Sequence, residues 1–325
     1  MHNRWHPAIP PELHVALDEE FTLETRDGLD GQLPFGSTAE DLARISLGRS
    51  HPLSGPVYVE RVEPGDVIGV EIVHVKTASR GVTPVLPGFG LLDIPRPAVV
   101  SWEIDHRKAR SPSLPGIAVP GDPFPGVVGV APSLAEVAAI RHREDELRAA
   151  GVLVADDAPD DAVPINGLRT IPPRANGGNL DIRGLGAGSV LYLPVQVPGA
   201  LLSVGDVHFA QGDGAVCGAA IEVAGSVTLR VSLESPDRPL TYVRPARPAR
   251  AAYATVGIAT DVREAARLAV ESLVDWLGDT RGLDRASAYV LCSVAADLSI
   301  SQIVNAPHPL VSASLPLDVF EDVDG

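Results

Sequence analysis

PVYVERVEPGDVIGVEIVHV, residues 56–75, decides the fold class. Gly55-Pro56 opens a short strand at Val57–Val59, and Glu63-Pro64-Gly65-Asp66 makes a turn. The run that follows puts Val67, Gly69, Glu71, Val73 and Val75 on one face and Ile68, Val70, Ile72 and His74 on the other. Both faces are mainly apolar, so the spacing predicts a strand covered on both sides. The same grammar recurs along the chain. The 31 Gly and 30 Pro exceed the usual share of about an eighth of residues, and they are spread between short apolar runs. That pattern marks many turns between many strands. Residues 13–24 alternate loosely before a turn at Arg26-Asp27-Gly28. Residues 80–132 carry short strands such as Ala98–Ile104, and a second dense β region spans about 180–245.

Helices are the exception. Ser133-Leu-Ala-Glu136 reads as a capping box opening a helix to about Ala150, with Gly151 as its stop. Asp261 with Glu264 starts a second helix, expected to reach Leu277 and close at Gly278. A third is expected from Asp284 to about Leu298. Residues 155–176 read as a loop, acids first and then Pro172-Pro173-Arg174. The expected class is α+β and β-rich. Residues 1–250 form a β-sandwich-like body with an inserted helix near 133–150, and 251–325 form a helical, α+β portion packed on the same unit.

Composition narrows the function. A net charge of −16 repels phosphate backbones, so nucleic acid is excluded as a partner. No apolar run approaches the ~20 residues of a membrane span, and the first residues lack a basic stretch followed by an apolar one. The expected location is the cytoplasm. Cys217 and Cys292 cannot form a disulfide framework and make no zinc-type pair.

The chemistry concentrates in residues 176–222. A carboxylate inside an apolar β run needs a partner, because burying it alone is unfavourable. Asp206 and His208 are two apart and point the same way from an extended strand. Asp181 follows Gly177-Gly178-Asn179-Leu180, Gln211 and Asp213 lie in a glycine-punctuated turn, and Glu222 ends another apolar run. Carboxylates and an imidazole without thiolate suit Zn²⁺ with an open position, or a harder ion. Each residue also has a plainer reading. Asp206 fits a turn, His208 a hydrogen-bonded structural histidine, Asp181 a turn cap or a partner of Arg183, and Glu222 a partner of Arg230. Cys217 reads as a small buried thiol before a nucleophile. Ser189 and Ser203 lie in no Gly-x-Ser-x-Gly elbow.

The same stretch carries a resemblance. Gly205-Asp-Val-His208, Ala210-Gln-Gly-Asp-Gly214, Val216-Cys-Gly218 and Ala220-Ile-Glu222 resemble the signature of the acetamidase/formamidase family, as do Gly178-Asn-Leu-Asp181, Gly188-Ser189 and Leu191-Tyr-Leu-Pro-Val195. His51 to Glu60, Glu63-Pro-Gly-Asp66, Gly126 to Pro132, Pro172-Pro173-Arg174, Leu291-Cys-Ser293 and Leu298 to Val304 resemble further blocks in order along most of the chain. The resemblance implies a jelly-roll-like β-sandwich with additional α/β elements and a homo-oligomer, a dimer or higher. The activity it implies is metal-dependent hydrolysis of small, formamide- or acetamide-like amides to carboxylate and ammonia. Asp181, Asp206, His208 and Glu222 become the candidate metal ligands, with zinc expected and calcium as the alternative.

Under that reading the metal acidifies a water and polarises the carbonyl. Glu60 and Asp213 are the candidate bases, and His51 and Gln211 orient the amide. A strand-end surface role fits Glu60 equally. Two positions depart from the family pattern: Ala215 stands where a Glu is usual, and Phe209 where an Ala is usual. If that Glu assists catalysis, or if Phe209 narrows the pocket, the preferred amide differs from the simplest ones. Two other readings remain: a non-catalytic small-molecule or metal-binding member of the same fold, and a thiol amidase using Cys217.

Overall fold

The computed structural model describes residues 1–154, 167–234, 240–244 and 251–321. Most described strands fall into two large sheets. The five-stranded one runs, edge to edge, through Gly177–Asn179, Phe124–Gly129, Leu202–His208, Leu53–Val59 and Leu13–Val15. The eight-stranded one runs through Asp297–Gln302, Leu310–Pro316, Ala252–Ile258, Thr241–Arg244, Val190–Pro194, Val67–Thr77, Gly225–Glu234 and Glu20–Thr25. Both sheets contribute to one core, in which Val57, Val204 and Leu202 join Ile68, Val70, Ile72, Leu191, Leu229 and Val231. The architecture is therefore β-rich α+β, with two sheets packed on a shared apolar interior.

The predicted 57–59 and 67–75 strands appear as Leu53–Val59 and Val67–Thr77. Val67–Val70 is buried on both faces as the run of apolar residues required, but His74 and Lys76 open to solvent beyond Ile72. Glu71 is accommodated by Arg230, whose Nη1 donates to Glu71 Oε2 at 2.9 Å. A smaller four-stranded sheet holds Arg80–Val85, Ala98–Asp105, Lys108–Arg110 and Ala118–Pro120.

The helices sit where their caps predict, with two shifts in length. Leu134–Ala149 is capped by Ser133, whose hydroxyl accepts from the Glu136 N–H at 3.1 Å. Val262–Arg281 is capped by Asp261, but it passes straight through Gly278. Its stop is Gly282, which takes the left-handed conformation (φ +66°) that glycine adopts without penalty. Arg285–Ala295 ends before Leu298, because residues 297–302 pair with Leu310–Pro316 as an edge strand. Both C-terminal helices bury Ala265, Ala269, Leu273, Leu277, Ala288 and Cys292 against Val311, Ala313 and Tyr253.

The eight-stranded sheet continues through the boundary expected at residue 250. Thr241–Arg244 pairs with Val190–Pro194 on one side and with Ala252–Ile258 on the other. The C-terminal portion thus shares a sheet with the body. The expected loop at 155–176 falls partly on 155–166, which lie outside the described residues. Among the described residues no helix is long and apolar enough to cross a membrane.

Candidate metal centre

Strand Leu202–His208 lies between Phe124–Gly129 and Leu53–Val59 and is buried along its whole length. Two polar side chains, Asp206 and His208, stand near its end. Asp206 Oδ2 is 3.4 Å from His208 Nε2, as their two-residue spacing predicted. The backbone is not regular there: Asp206 has φ +56°, and Asp181 has φ +50°. Left-handed conformations at non-glycine residues are strained and persist where surrounding structure enforces them.

Asp181 reaches the same place from the segment after Gly177–Asn179. Its N–H donates to Gly126 O at 3.1 Å, and its Oδ1 lies 3.9 Å from His208 Nδ1. Glu222 arrives from the far side, bridging backbone to backbone with both Val82 and His208. Its Oε2 is 3.4 Å from His208 Nε2, and its Oε1 accepts from the Ala220 N–H at 2.8 Å. Asp181, Asp206 and His208 each offer a ligand atom, all within 4.8 Å of one another. All four residues are more than nine-tenths buried. The plainer pairings do not occur. Arg230 turns to Glu71 and Glu20, and Arg183 lies beside Asp213.

Two glycines make the room. Gly126 stands across from Asp206 in the antiparallel register, between the Pro125–Val207 and Val127–Gly205 pairs. A Cβ there would sit 2.7 Å from Asp181 Oδ1, 2.7 Å from His208 Cε1 and 2.9 Å from Asp206 Oδ2. A Cβ on Gly28 would fall 2.0 Å from Asp206 Oδ1 and 3.1 Å from Glu222 Oε2. Asn305, in the connection between the last two strands, completes the surroundings, and its Nδ2 donates to Asp181 Oδ2 at 2.7 Å.

The electrostatics are those of a buried, strongly interacting acidic cluster. Burial pushes the Asp181 carboxyl up to about 6 and the Glu222 carboxyl up to about 7. For Asp206, burial acts upward, but the His51 and His208 imidazoles beside it hold the carboxyl below its ordinary value. Burial would lower His208, yet the Glu222 and Asp206 carboxylates outweigh it and raise the imidazole well above 6.5. Asp181 Oδ1, Asp206 Oδ1 and Glu222 Oε2 are buried without a hydrogen-bond partner. Buried carboxylate oxygens are normally paired or bound to metal. The donor set, three carboxylates and one imidazole with no thiolate, fits a divalent cation such as zinc or a harder ion.

The cluster forms one wall of a cavity of about 60 Å³, whose lining includes His51, Gln211, Ala215 and Cys217 and the apolar side chains of Leu29, Leu86, Phe89 and Ile171. Ligand pockets for drug-sized molecules run to roughly 300–1,000 Å³, so this one suits a compound of few heavy atoms. His51 Nε2 lies 3.8 Å from Asp206 Oδ2, and its Nδ1 is buried without a partner. Gln211 Nε2 donates to the Asp181 carbonyl at 2.9 Å, and its Oε1 has no partner.

The remaining expectations are corrected. Glu60 is exposed at the far end of strand Leu53–Val59 and pairs with His14 at 3.1 Å. At ~3.3 Å per residue it lies roughly 20 Å along the strand from Leu53, the residue that pairs with Gly205 beside Asp206. Asp213 is also outside the cavity lining. It stands 3.7 Å from Arg183 Nε, on a neighbouring cavity of about 500 Å³. Phe209 does not narrow the pocket. As the next residue along the chain from His208 it turns the other way, into the main core, and closes on Gly121. Ala215, by contrast, does line the cavity.

Sequence reasoning missed Gly126, Gly28 and Asn305. A glycine inside the apolar run Phe124–Gly129 is the signal that could have flagged the first, since it marks close approach of another group.

Known proteins agree with this architecture. A profile of the Acetamidase/Formamidase family matches residues 1–322. The chain is 35% identical over 266 residues to an acetamidase of Mycolicibacterium smegmatis, covering 71% of this chain and 65% of that one. It is 31% identical over 367 residues to a formamidase of Methylophilus methylotrophus, covering 99% and 89%. It spans 64–65% of the length of two of the curated relatives it matches. The crystal structure of an acetamidase from Bacillus halodurans superposes with a TM-score of 0.81 at 28% identity, over 100% of this chain and 97% of that one. With the profile match running almost end to end, this chain belongs to the acetamidase/formamidase family.

Proposed function

We propose that this chain hydrolyses the C–N bond of a short carboxylic amide to carboxylate and ammonia, with a divalent cation, zinc, held by Asp181, Asp206, His208 and Glu222. The observation that carries this reading is three buried carboxylates around His208, each with one oxygen lacking a hydrogen-bond partner, at a cavity of about 60 Å³. Family membership supports the reaction class. When bound, the cation would acidify a water and polarise the amide carbonyl.

The chain's own residues supply the rest. Gln211 is fixed through its Nε2 to the Asp181 carbonyl, so its Oε1 is turned free to accept from the amide NH₂. Burial lowers the His51 imidazole below its usual 6.5, keeping it neutral and able to accept a proton. His51 Nε2 lies 3.8 Å from Asp206 Oδ2 and Nδ1 has no hydrogen-bond partner, so the neutral ring has a nitrogen available as the acceptor. His51 therefore takes the proton role first given to Glu60 and Asp213, which lie elsewhere. It receives the proton of the attacking water and returns it to the departing nitrogen, so that nitrogen leaves as ammonia. The His51→Gln protein is expected to keep its metal and to lose about 10²-fold in kcat, measured as ammonia release beside metal content. Equal rates for the two proteins would remove His51 from the chemistry.

The decisive test is ammonia release from formamide, acetamide and propionamide before and after chelation. Chelation is expected to abolish release, and Cys217→Ala to leave it unchanged. Cys217 Sγ already donates to the Ala219 carbonyl at 3.4 Å. Release that survives chelation and disappears in Cys217→Ala would install the thiol route instead. Metal uptake without release from any amide would favour the non-catalytic binding module. The reading also carries a jelly-roll-like winding of the two sheets, assembly as a homo-oligomer and a cytoplasmic location.

A further inference from the structure

The carboxylates of the centre are not equally free at their two oxygens. Asp181 Oδ2 accepts from Asn305 Nδ2 at 2.7 Å, while Asp181 Oδ1 has no partner. Glu222 repeats the arrangement: Oε1 accepts from the Ala220 N–H at 2.8 Å, and Oε2 has no partner. Each carboxylate therefore has one oxygen held by the protein and one left for a cation. Asn305 is itself held in place. It is buried, and its N–H donates to Gln302 Oε1 at 2.9 Å. The fully buried Gln302 also accepts from the Val304 N–H and donates through Nε2 to the His308 carbonyl at 2.7 Å. The loop carrying Asn305 is thus held by Gln302 together with backbone bonds such as Ile303 N–H to the Gly214 carbonyl at 3.1 Å, and its amide is aimed at one oxygen of one ligand.

We propose that Asn305 is a positioning residue that keeps Asp181 monodentate, through Oδ1, and so sets the preference of the centre for a small cation of low coordination number over calcium. This deepens, and rests on, the metal reading above. Calcium takes 6–8 oxygens and gathers many of them from bidentate carboxylates, whereas zinc is satisfied by about four donors. One oxygen from each of Asp181, Asp206 and Glu222 with one nitrogen of His208 makes four. Without the Asn305 donor, Asp181 Oδ2 is released. The carboxylate can then turn to present both oxygens, which favours the larger ion.

The test uses the full chain, stripped of metal, with Zn²⁺ and Ca²⁺ titrated separately against a competing chromophoric chelator. The wild type is expected to favour zinc. Asn305→Ala is expected to weaken zinc by about 10–100-fold, the usual effect of removing a partner that orients a ligand, with calcium undiminished, so that the zinc-to-calcium ratio falls by the same factor. Asn305→Asp keeps the side-chain volume, removes the donor and sets another oxygen against Asp181 Oδ2. It is expected to gain affinity for calcium, and it keeps the comparison available should alanine unsettle the loop. A merely structural loss would weaken both ions together. Variants that hold the wild-type ratio therefore overturn the proposal while leaving the metal reading intact. A wild type that takes up neither ion overturns both.

Discussion

Asp206→Asn is expected to lower ammonia release by about 10³-fold or more and to leave less than one metal per chain. The magnitude follows from losing several kcal/mol of metal-assisted stabilisation, at about 1.4 kcal/mol for each factor of ten. The choice of asparagine matters. Asp206 sits at φ +56°, where Asn is as well tolerated as Asp and where a residue such as Val would be strained. The substitution thus keeps backbone and volume and removes only charge and ligand strength. Asp206 also has three titratable neighbours: His208 at 3.4 Å, His51 at 3.8 Å, and Glu222 within hydrogen-bonding reach. Its loss unbalances the imidazoles together with the cation. Elemental analysis and initial rates on the same preparation check the two effects. A variant that keeps both its metal and its rate would remove Asp206 from the centre.

The four proposed ligands were legible because three lie within 17 positions of one another, in 206–222, and alternate with apolar residues that forbid an unpartnered charge. Asp181 followed from its glycines. The fold class was legible for a similar reason, since Val67–Val70 has no polar face to turn outward. The base proposed above, His51, was read from the sequence only as an orienting residue. Glu60 and Asp213 were chosen by type and motif position, and neither property records that a strand of ~3.3 Å per residue carries Glu60 out of reach. Asn305 was illegible because it is 124 positions from Asp181, and it is brought back by long-range pairing: Asp297–Gln302 with Leu310–Pro316 in the larger sheet, and Ser301 and Ile303 with Gly214. The misplaced stop at Gly278 has a local cause. A glycine closes a helix when the chain turns left-handed there, and only Gly282 does so. Phe209 shows the converse lesson. A departure from a family pattern next to a ligand can still face the core, because adjacent residues of a strand point opposite ways.

Gly126→Ala provides a test of the centre that replaces no ligand. Gly126 does not have a positive φ, so alanine meets no backbone strain, and the substitution adds only a methyl group. That methyl group would have to occupy space 2.7 Å from Asp181 Oδ1, 2.7 Å from His208 Cε1 and 2.9 Å from Asp206 Oδ2. Real Cβ atoms do not approach other heavy atoms so closely, so at least one of the three side chains must move. None can move cheaply. Asp181 is tied through Oδ2 to Asn305, His208 is packed edge-on against Phe124 with ring centroids 5.1 Å apart, and Asp206 is bounded on its other side by Gly28. Displacing a ligand by about 1 Å is enough to lose ~10²-fold in rate when geometry governs the reaction. With three ligands crowded at once, activity is expected to fall by ~10²-fold or more and metal affinity to fall with it. The unfolding temperature of the metal-free protein is expected to fall as well, because these tethers hold the three side chains without the cation and overpacking a tight site is destabilising. A Gly126→Ala protein with wild-type metal affinity and rate would mean that the three side chains do not share a cation at this point in the sheet.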